Sequence, residues 1–250
     1  MTNRLASVLG GDAGAAVLPR LATAAAPVCG QPWSALVADA GQIVQAAKRI
    51  AALFDTDAIV IEIDASDSAS TVEAVRRLAA ENGRPIVPIL PGPVTLAATS
   101  DADAAKEVLT GIVEARPALL LFDESAVPAS ELAGMGARKL FNTLRNVTAY
   151  FDVPLGIIMA IPDEDAADAA VRLKPDAVIA AGIADAELLD RIAAEGPAIG
   201  IALSVDDTTA AAALAATRPL IITTLGGGPD PLPVETMHAF MGAFSGARQP

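Results

Sequence analysis

Eight short apolar runs, each too short for a globular helix, alternate along this chain with stretches whose apolar residues return at helical spacing. The runs are Ala15 to Leu21, Ala58 to Asp64, Ile86 to Leu90, Ala118 to Phe122, Leu155 to Ile161, Ala177 to Ala181, Ile199 to Leu203 and Leu220 to Leu225. Between them the spacing predicts helices after Asp39, over Ser70 to Glu81, Ala104 to Glu114 and Ser130 to Tyr150, and from near Asp163, Asp185, Asp206 and Val234. Aspartates at 39, 163, 185 and 206 are expected to accept the free N–H groups of helix starts. A short amphipathic helix within Met1 to Gly11, with Leu5, Val8 and Leu9 on one side, precedes the first strand.

Strand and helix in alternation imply parallel strands joined by right-handed crossovers. Eight such units in 250 residues, with no Gly-x-Gly-x-x-Gly after the first strand, favour a closed (β/α)8 barrel over an open doubly wound sheet. No composition shift or charged linker divides the chain, so residues 1–250 are expected to form one domain. Apolar residues make up 53% and aromatic residues 3%, so the core must be built from Ile, Leu, Val and Ala.

The same composition excludes several partners and chemistries. A net charge of -13 is wrong for a phosphate backbone, so nucleic acid is not expected. No apolar run spans a bilayer and no signal-peptide pattern opens the chain, which points to a cytoplasmic protein without a membrane partner. Cys29 is the single cysteine and His238 the single histidine, so no cofactor is predicted and a zinc site has no ligand set. Cys29 has no histidine arranged to activate it, His238 is expected at a surface or core edge, and Tyr150 against the far face of the barrel.

In a barrel of this kind, functional groups stand where strands end. In Ala58 to Asp64 the three isoleucines share one parity and suit the helix-facing side, which turns Glu62 and Asp64 inward together. Asp123 ends the fourth strand, and Arg20 lies near the end of the first. Arg20 either holds a substrate carboxylate or neutralises Asp64 across the barrel. The turns Pro91-Gly92-Pro93 and Gly226-Gly227-Gly228 are expected to shape the floor of a site and offer backbone N–H groups. Glu62, Asp64 and Asp123 are also the residues a hard cation would use, but their spacing is not specific and no metal is predicted.

These stretches resemble the uroporphyrinogen decarboxylase superfamily, which includes corrinoid-linked methyltransferases and cobalamin-independent methionine synthases. The likeness rests on Arg4-Leu-Ala-Ser-Val-Leu-Gly10, Leu18-Pro-Arg-Leu, Asp57-Ala-Ile-Val-Ile-Glu-Ile-Asp64, the strand and turn Arg84 to Ala97, and the last strand with its glycine turn and Val234-Glu-Thr-Met. The resemblance implies that Asp64 stands where the decarboxylases place a substrate-facing aspartate, and Arg20 near a propionate-binding arginine. The turn that carries a histidine in the decarboxylases, or a zinc-binding cysteine in the methyltransferases, is three glycines here. Near strand seven, Gly200-Ile-Ala-Leu replaces a His-x-Cys pair.

The expected function is acid/base chemistry on a small organic substrate, decarboxylation or a related lyase step without zinc. Arg20 would anchor an anionic group, and Asp64, Glu62 and Asp123 would handle the proton, two neighbouring carboxylates raising the pKa of one of the pair. Two alternatives stay open: a methyltransferase working with a corrinoid or other methyl-carrier protein, and a non-catalytic barrel subunit. Assembly as a homodimer is compatible with all three.

Overall fold

A computed structural model describes residues 3–12, 14–20, 25, 28–63, 69–81, 83–99, 102–182, 185–225 and 233–248. In chain order the elements are α1 (Arg4–Leu9), β1 (Ala15–Leu18), α2 (Trp33–Leu36), α3 (Ala40–Phe54), β2 (Ile59–Glu62), α4 (Ala69–Ala80), β3 (Ile86–Pro91), α5 (Pro93–Thr99) and α6 (Ala102–Val113). There follow β4 (Leu120–Asp123), α7 (Ala129–Leu132), α8 (Met135–Tyr150), β5 (Leu155–Met159), α9 (Glu164–Leu173), β6 (Ala177–Ala181), α10 (Ala186–Ala194), β7 (Ala198–Leu203), α11 (Thr209–Ala215), β8 (Leu220–Thr224) and α12 (Val234–Ala243).

All eight strands pair in parallel in the order β1-β8-β7-β6-β5-β4-β3-β2. The remaining seam, β1 against β2, is closed by a parallel bridge between Arg20 and Val60 and by the Asp57 N–H, which donates to Val17 O at 3.1 Å. The fold is therefore a (β/α)8 barrel. Alternation along each strand separates two cores. Ile59, Ile61 and Ile63 pack outward with the helices, whereas Ala16, Leu18, Val60, Ile89, Leu121, Ile158, Ile179 and Ile221 fill the interior. Leu5 and Val8 of α1 belong to the inner cluster, so α1 plugs the end at which the strands begin.

Glycines set the taper of that interior. A methyl group on Gly156 would lie 2.6 Å from Leu121 Cδ2, and one on Gly200 2.6 Å from Ile221 O, so these strand positions are bare because neighbouring strands fill the space.

Several local expectations change. Ser130 to Tyr150 is two helices, α7 and α8, because Gly134 between them takes an extended backbone with ψ 156. Asp39, Asp163 and Asp185 cap α3, α9 and α10 through bonds of 2.9, 2.9 and 2.8 Å, but Asp206 caps nothing. α11 starts at Thr209 behind Thr208, which is itself in helical geometry and makes no side-chain cap bond. Tyr150 is 83% exposed rather than packed against the barrel. His238 is an exposed histidine set edge-on to Phe54, with ring centroids 4.9 Å apart.

Candidate functional site

The interior alternation that seats Val60 in the core carries Glu62 one step further, to the end of β2 where the strands run out. The same alternation places Arg20 beyond Leu18 on β1 and Asp123 beyond Leu121 on β4. These three side chains meet. Arg20 is 4% exposed, and its guanidinium donates through Nη1 to Glu62 Oε1 at 3.0 Å and through Nη2 to Asp123 Oδ2 at 2.8 Å. Its backbone N–H is held by Thr224 Oγ1 at 3.0 Å, which ties the arginine to β8 as well.

Charge and hydrogen bonding in the trio are unevenly satisfied. Burial alone would raise the Asp123 carboxyl, but hydrogen bonding from Ser125 and the charge of Arg20 reverse that and hold it below the ordinary aspartate value. Asp123 is thus a fixed anion, with its Oδ1 accepting the Ser125 N–H at 3.0 Å. Glu62 differs, because its Oε2 is buried and has no partner among the described residues, and the same is true of Arg20 Nε. One guanidinium against two carboxylates leaves the trio with one formal negative charge. Among the described residues the cluster therefore presents an unused acceptor and an unused donor, and desolvated groups of this kind gain free energy when a hydrogen-bond partner completes them.

Glu124, which sequence reasoning passed over, is 0% exposed. It follows Asp123 and faces the helix layer, where its carboxyl accepts the N–H groups of Val94 at 2.7 Å and Thr95 at 3.1 Å and the Thr95 hydroxyl at 2.6 Å. A carboxylate 30 residues away thus caps α5. Burial pushes the Glu124 carboxyl above its ordinary value despite those bonds, and the charge of Asp123 adds to the rise. The signal in the sequence was Gly92, since a methyl group there would collide with Glu124 Cγ, Cδ and Oε1.

This changes how the Pro91-Gly92-Pro93 turn is understood. Pro91 and Pro93 have no N–H, and the Gly92 N–H donates to Asp123 O at 2.9 Å, so the backbone donors expected there are already used. Glu124 shapes the turn from beneath. Of the remaining expected site residues, Asp64, Gly226, Gly227 and Gly228 lie outside the described residues. Cys29 is half-buried and burial raises its thiol, which keeps it protonated. Among the described residues no group of three His, Cys, Asp or Glu is placed to hold a metal ion, and no helix is long and apolar enough to cross a membrane.

No protein-family model matches this chain, and no curated protein matches its sequence. Among solved structures it is similar to a methyltransferase from Methanosarcina mazei, at 13% identity over 97% of each chain with a TM-score of 0.71. It is also similar to a mandelate racemase/muconate lactonizing enzyme from Jannaschia sp. CCS1, at 13% identity over 86% of this chain and 56% of that one with a TM-score of 0.56. A truncated 3-deoxy-D-arabino-heptulosonate 7-phosphate synthase from Thermotoga maritima matches over 93% of this chain and 84% of its own, at 10% identity and a TM-score of 0.50. These likenesses establish the barrel. At such identities they carry the fold and no residue roles.

Proposed function

We propose that the chain is a small-molecule enzyme of uroporphyrinogen decarboxylase-like descent, working at the C-terminal mouth of its barrel by acid/base chemistry, in a decarboxylation or related lyase step. The observation that carries this is the buried Oε2 of Glu62, which has no partner among the described residues, on the carboxylate whose Oε1 binds the Arg20 guanidinium. Glu62 is the group left to accept or return a proton, while Asp123 stays charged and fixes Arg20. Arg20 is already neutralised by two carboxylates, so its task on this scheme is to orient Glu62 rather than to capture a substrate anion unaided. Asp64 is proposed as a second proton-handling carboxylate, and Gly226 to Gly228 as part of the substrate floor.

The test is release of labelled carbon dioxide from a panel of carboxyl-labelled β-keto, aromatic and pyrrole carboxylic acids. Glu62→Gln is expected to lower turnover by about 100-fold or more. Undiminished turnover by that variant, or no carbon dioxide from any acid in the panel, would sink the proposal.

The fold likeness to the Methanosarcina mazei methyltransferase favours a second reading, methyl transfer from a corrinoid or other methyl-carrier protein docked at the mouth. Gly200, Ile201, Ala202 and Leu203 of β7 offer no side-chain ligand, so this version has no zinc step. Methylated product formed with a corrinoid or folate carrier would select it.

A further inference from the structure

We propose that a hollow at the end of the barrel where the strands begin binds the phosphate group of a small molecule, with Arg116 and Arg84 as its principal contacts. The hollow has a volume of about 1190 Å³ and reaches from α1 across the starts of β1, β2, β3 and β4. Its charged lining residues are four arginines, Arg4, Arg84, Arg116 and Arg248, and two aspartates, Asp55 and Asp57. In a chain of net charge -13 this wall carries a formal excess of two positive charges, and a concave wall of one sign concentrates counter-ions of the other.

The carboxylates at hand are already engaged. Asp57 takes Arg4 Nη1 at 2.8 Å and Arg248 Nη2 at 2.9 Å, and Asp55 takes Arg84 Nη2 at 2.9 Å. Glu81 and Glu114, in the loops that lead to β3 and β4, are turned to Lys48 at 2.7 Å and Arg76 at 3.4 Å. The exposed Arg116 side chain makes no ion pair or hydrogen bond among the described residues. The Ala118 N–H donates to Ile86 O at 3.0 Å, and the register that pairs Ile89 with Leu121, carried past this bond, sets Arg116 beside Arg84. Adjacent strands lie about 4.8 Å apart, and like charges so placed repel. A dianion between the two guanidinium groups removes that repulsion and is held by charge-assisted hydrogen bonds. Thr56 is part of the same wall and 2% exposed, and its Oγ1 is buried with no hydrogen-bond partner among the described residues. A phosphate monoester brings three strong acceptor oxygens, enough for two guanidinium groups and a hydroxyl, whereas a carboxylate brings two. The hollow lies at the opposite end from Arg20, Glu62 and Asp123, so its ligand acts on the barrel rather than as a reactant. Arg4 of α1 and Arg248 of the C-terminal segment both hold Asp57 at the seam between β1 and β2, and an anion on this wall clamps that seam.

Calorimetric titration of the full chain with glucose 6-phosphate and with inorganic phosphate is expected to show saturable binding, and glucose alone none. Arg116→Glu should weaken it at least tenfold (about 1.4 kcal/mol) with unchanged circular dichroism, because that side chain has no partner to lose among the described residues. Arg138→Glu, the same change of charge at an exposed arginine of α8, should leave the affinity as it is. Bound phosphate should also slow hydrogen exchange in β1 and β2 more than in β5 to β7. Tighter binding of the ester identifies an organic phosphate as the ligand, and equal affinities identify the free ion. The proposal is overturned if neither phosphate compound binds, if citrate binds more tightly than both, if Arg116→Glu leaves the affinity intact, or if Arg138→Glu weakens it equally. Protection confined to strands away from the seam would overturn it as well.

Discussion

Asp123 and Glu124 are sequence neighbours with opposite titration behaviour, because strand alternation turns one to the interior cation and the other to the start of α5. The Asp123 carboxyl is held below its ordinary value. Its contribution to stability is present above the unfolded aspartate value of about 3.9 and is lost as pH falls through the lower folded value. The Glu124 carboxyl is raised, so its contribution is greatest below the unfolded glutamate value of about 4.3 and declines as pH rises through the higher folded value. Urea unfolding across pH should therefore show the stability of wild type relative to Asp123→Asn shrinking on acidification, while that relative to Glu124→Gln grows; slopes of the same sign would contradict the assignment. Gly92→Ala should cost about 1–3 kcal/mol in the same assay, because the added methyl meets a carboxyl pinned by three hydrogen bonds. An unchanged midpoint would show that Glu124 can move aside.

Helices whose starts are capped from within their own sequence were legible, and the one capped from elsewhere was not. Asp163 accepts the Ala166 N–H and Asp185 the Glu187 N–H, both within three residues. Asp206 has the same residue type and a similar place after a strand, yet it sits inside a turn closed by the Asp207 N–H on Ser204 O, and two more residues pass before α11 begins. Asp163→Ala is thus expected to cost about 1 kcal/mol by thermal or urea unfolding, and Asp206→Ala less than about 0.5 kcal/mol. Equal losses would mean that Asp206 serves a role outside helix capping. α5 escaped notice because its cap, Glu124, arrives from the end of β4 and cannot be found by scanning the residues before Pro93. The split between α7 and α8 did have a local sign in Gly134, but a glycine is tolerated inside helices often enough that position alone does not decide.

The barrel as a whole is fastened least by backbone pairing between β1 and β2. Side chains secure both ends of that seam. At the mouth Arg20 of the first strand's extension binds Glu62, and at the opposite end Asp57 accepts the Val17 N–H at 2.9 Å together with Arg4 at 2.8 Å and Arg248 at 2.9 Å. Asp57 thereby joins the first helix, the seam and the C-terminal segment. Asp57→Ala would remove the buried acceptor of the Val17 N–H, Arg4 and Arg248, and because Arg4 is 40% exposed and Arg248 keeps Asp55, a loss of about 1–3 kcal/mol is expected in urea unfolding. Hydrogen exchange should speed first in β1 and β2 and last in β5 to β7, whose neighbours are paired on both sides. Uniform exchange across the eight strands would show that the seam does not open by itself.

Sequence alone determined the period of the chain, and with it the strands, the inward parity of Glu62 and the (β/α)8 architecture, because alternation of apolar residues is a local record of which face is buried. It also supplied the short set of strand-end residues, since a parallel barrel leaves few other places for polar groups to converge. The tertiary structure decided which of those groups are already spent: Arg20 on Glu62 and Asp123, the Gly92 N–H on the Asp123 carbonyl, and Glu124 on the start of α5. Those partners lie 42, 103 and 30 residues apart for the side-chain bonds. Hydrogen bonds are satisfied by proximity in space, and a linear sequence does not record which distant atoms closure of the barrel brings within reach.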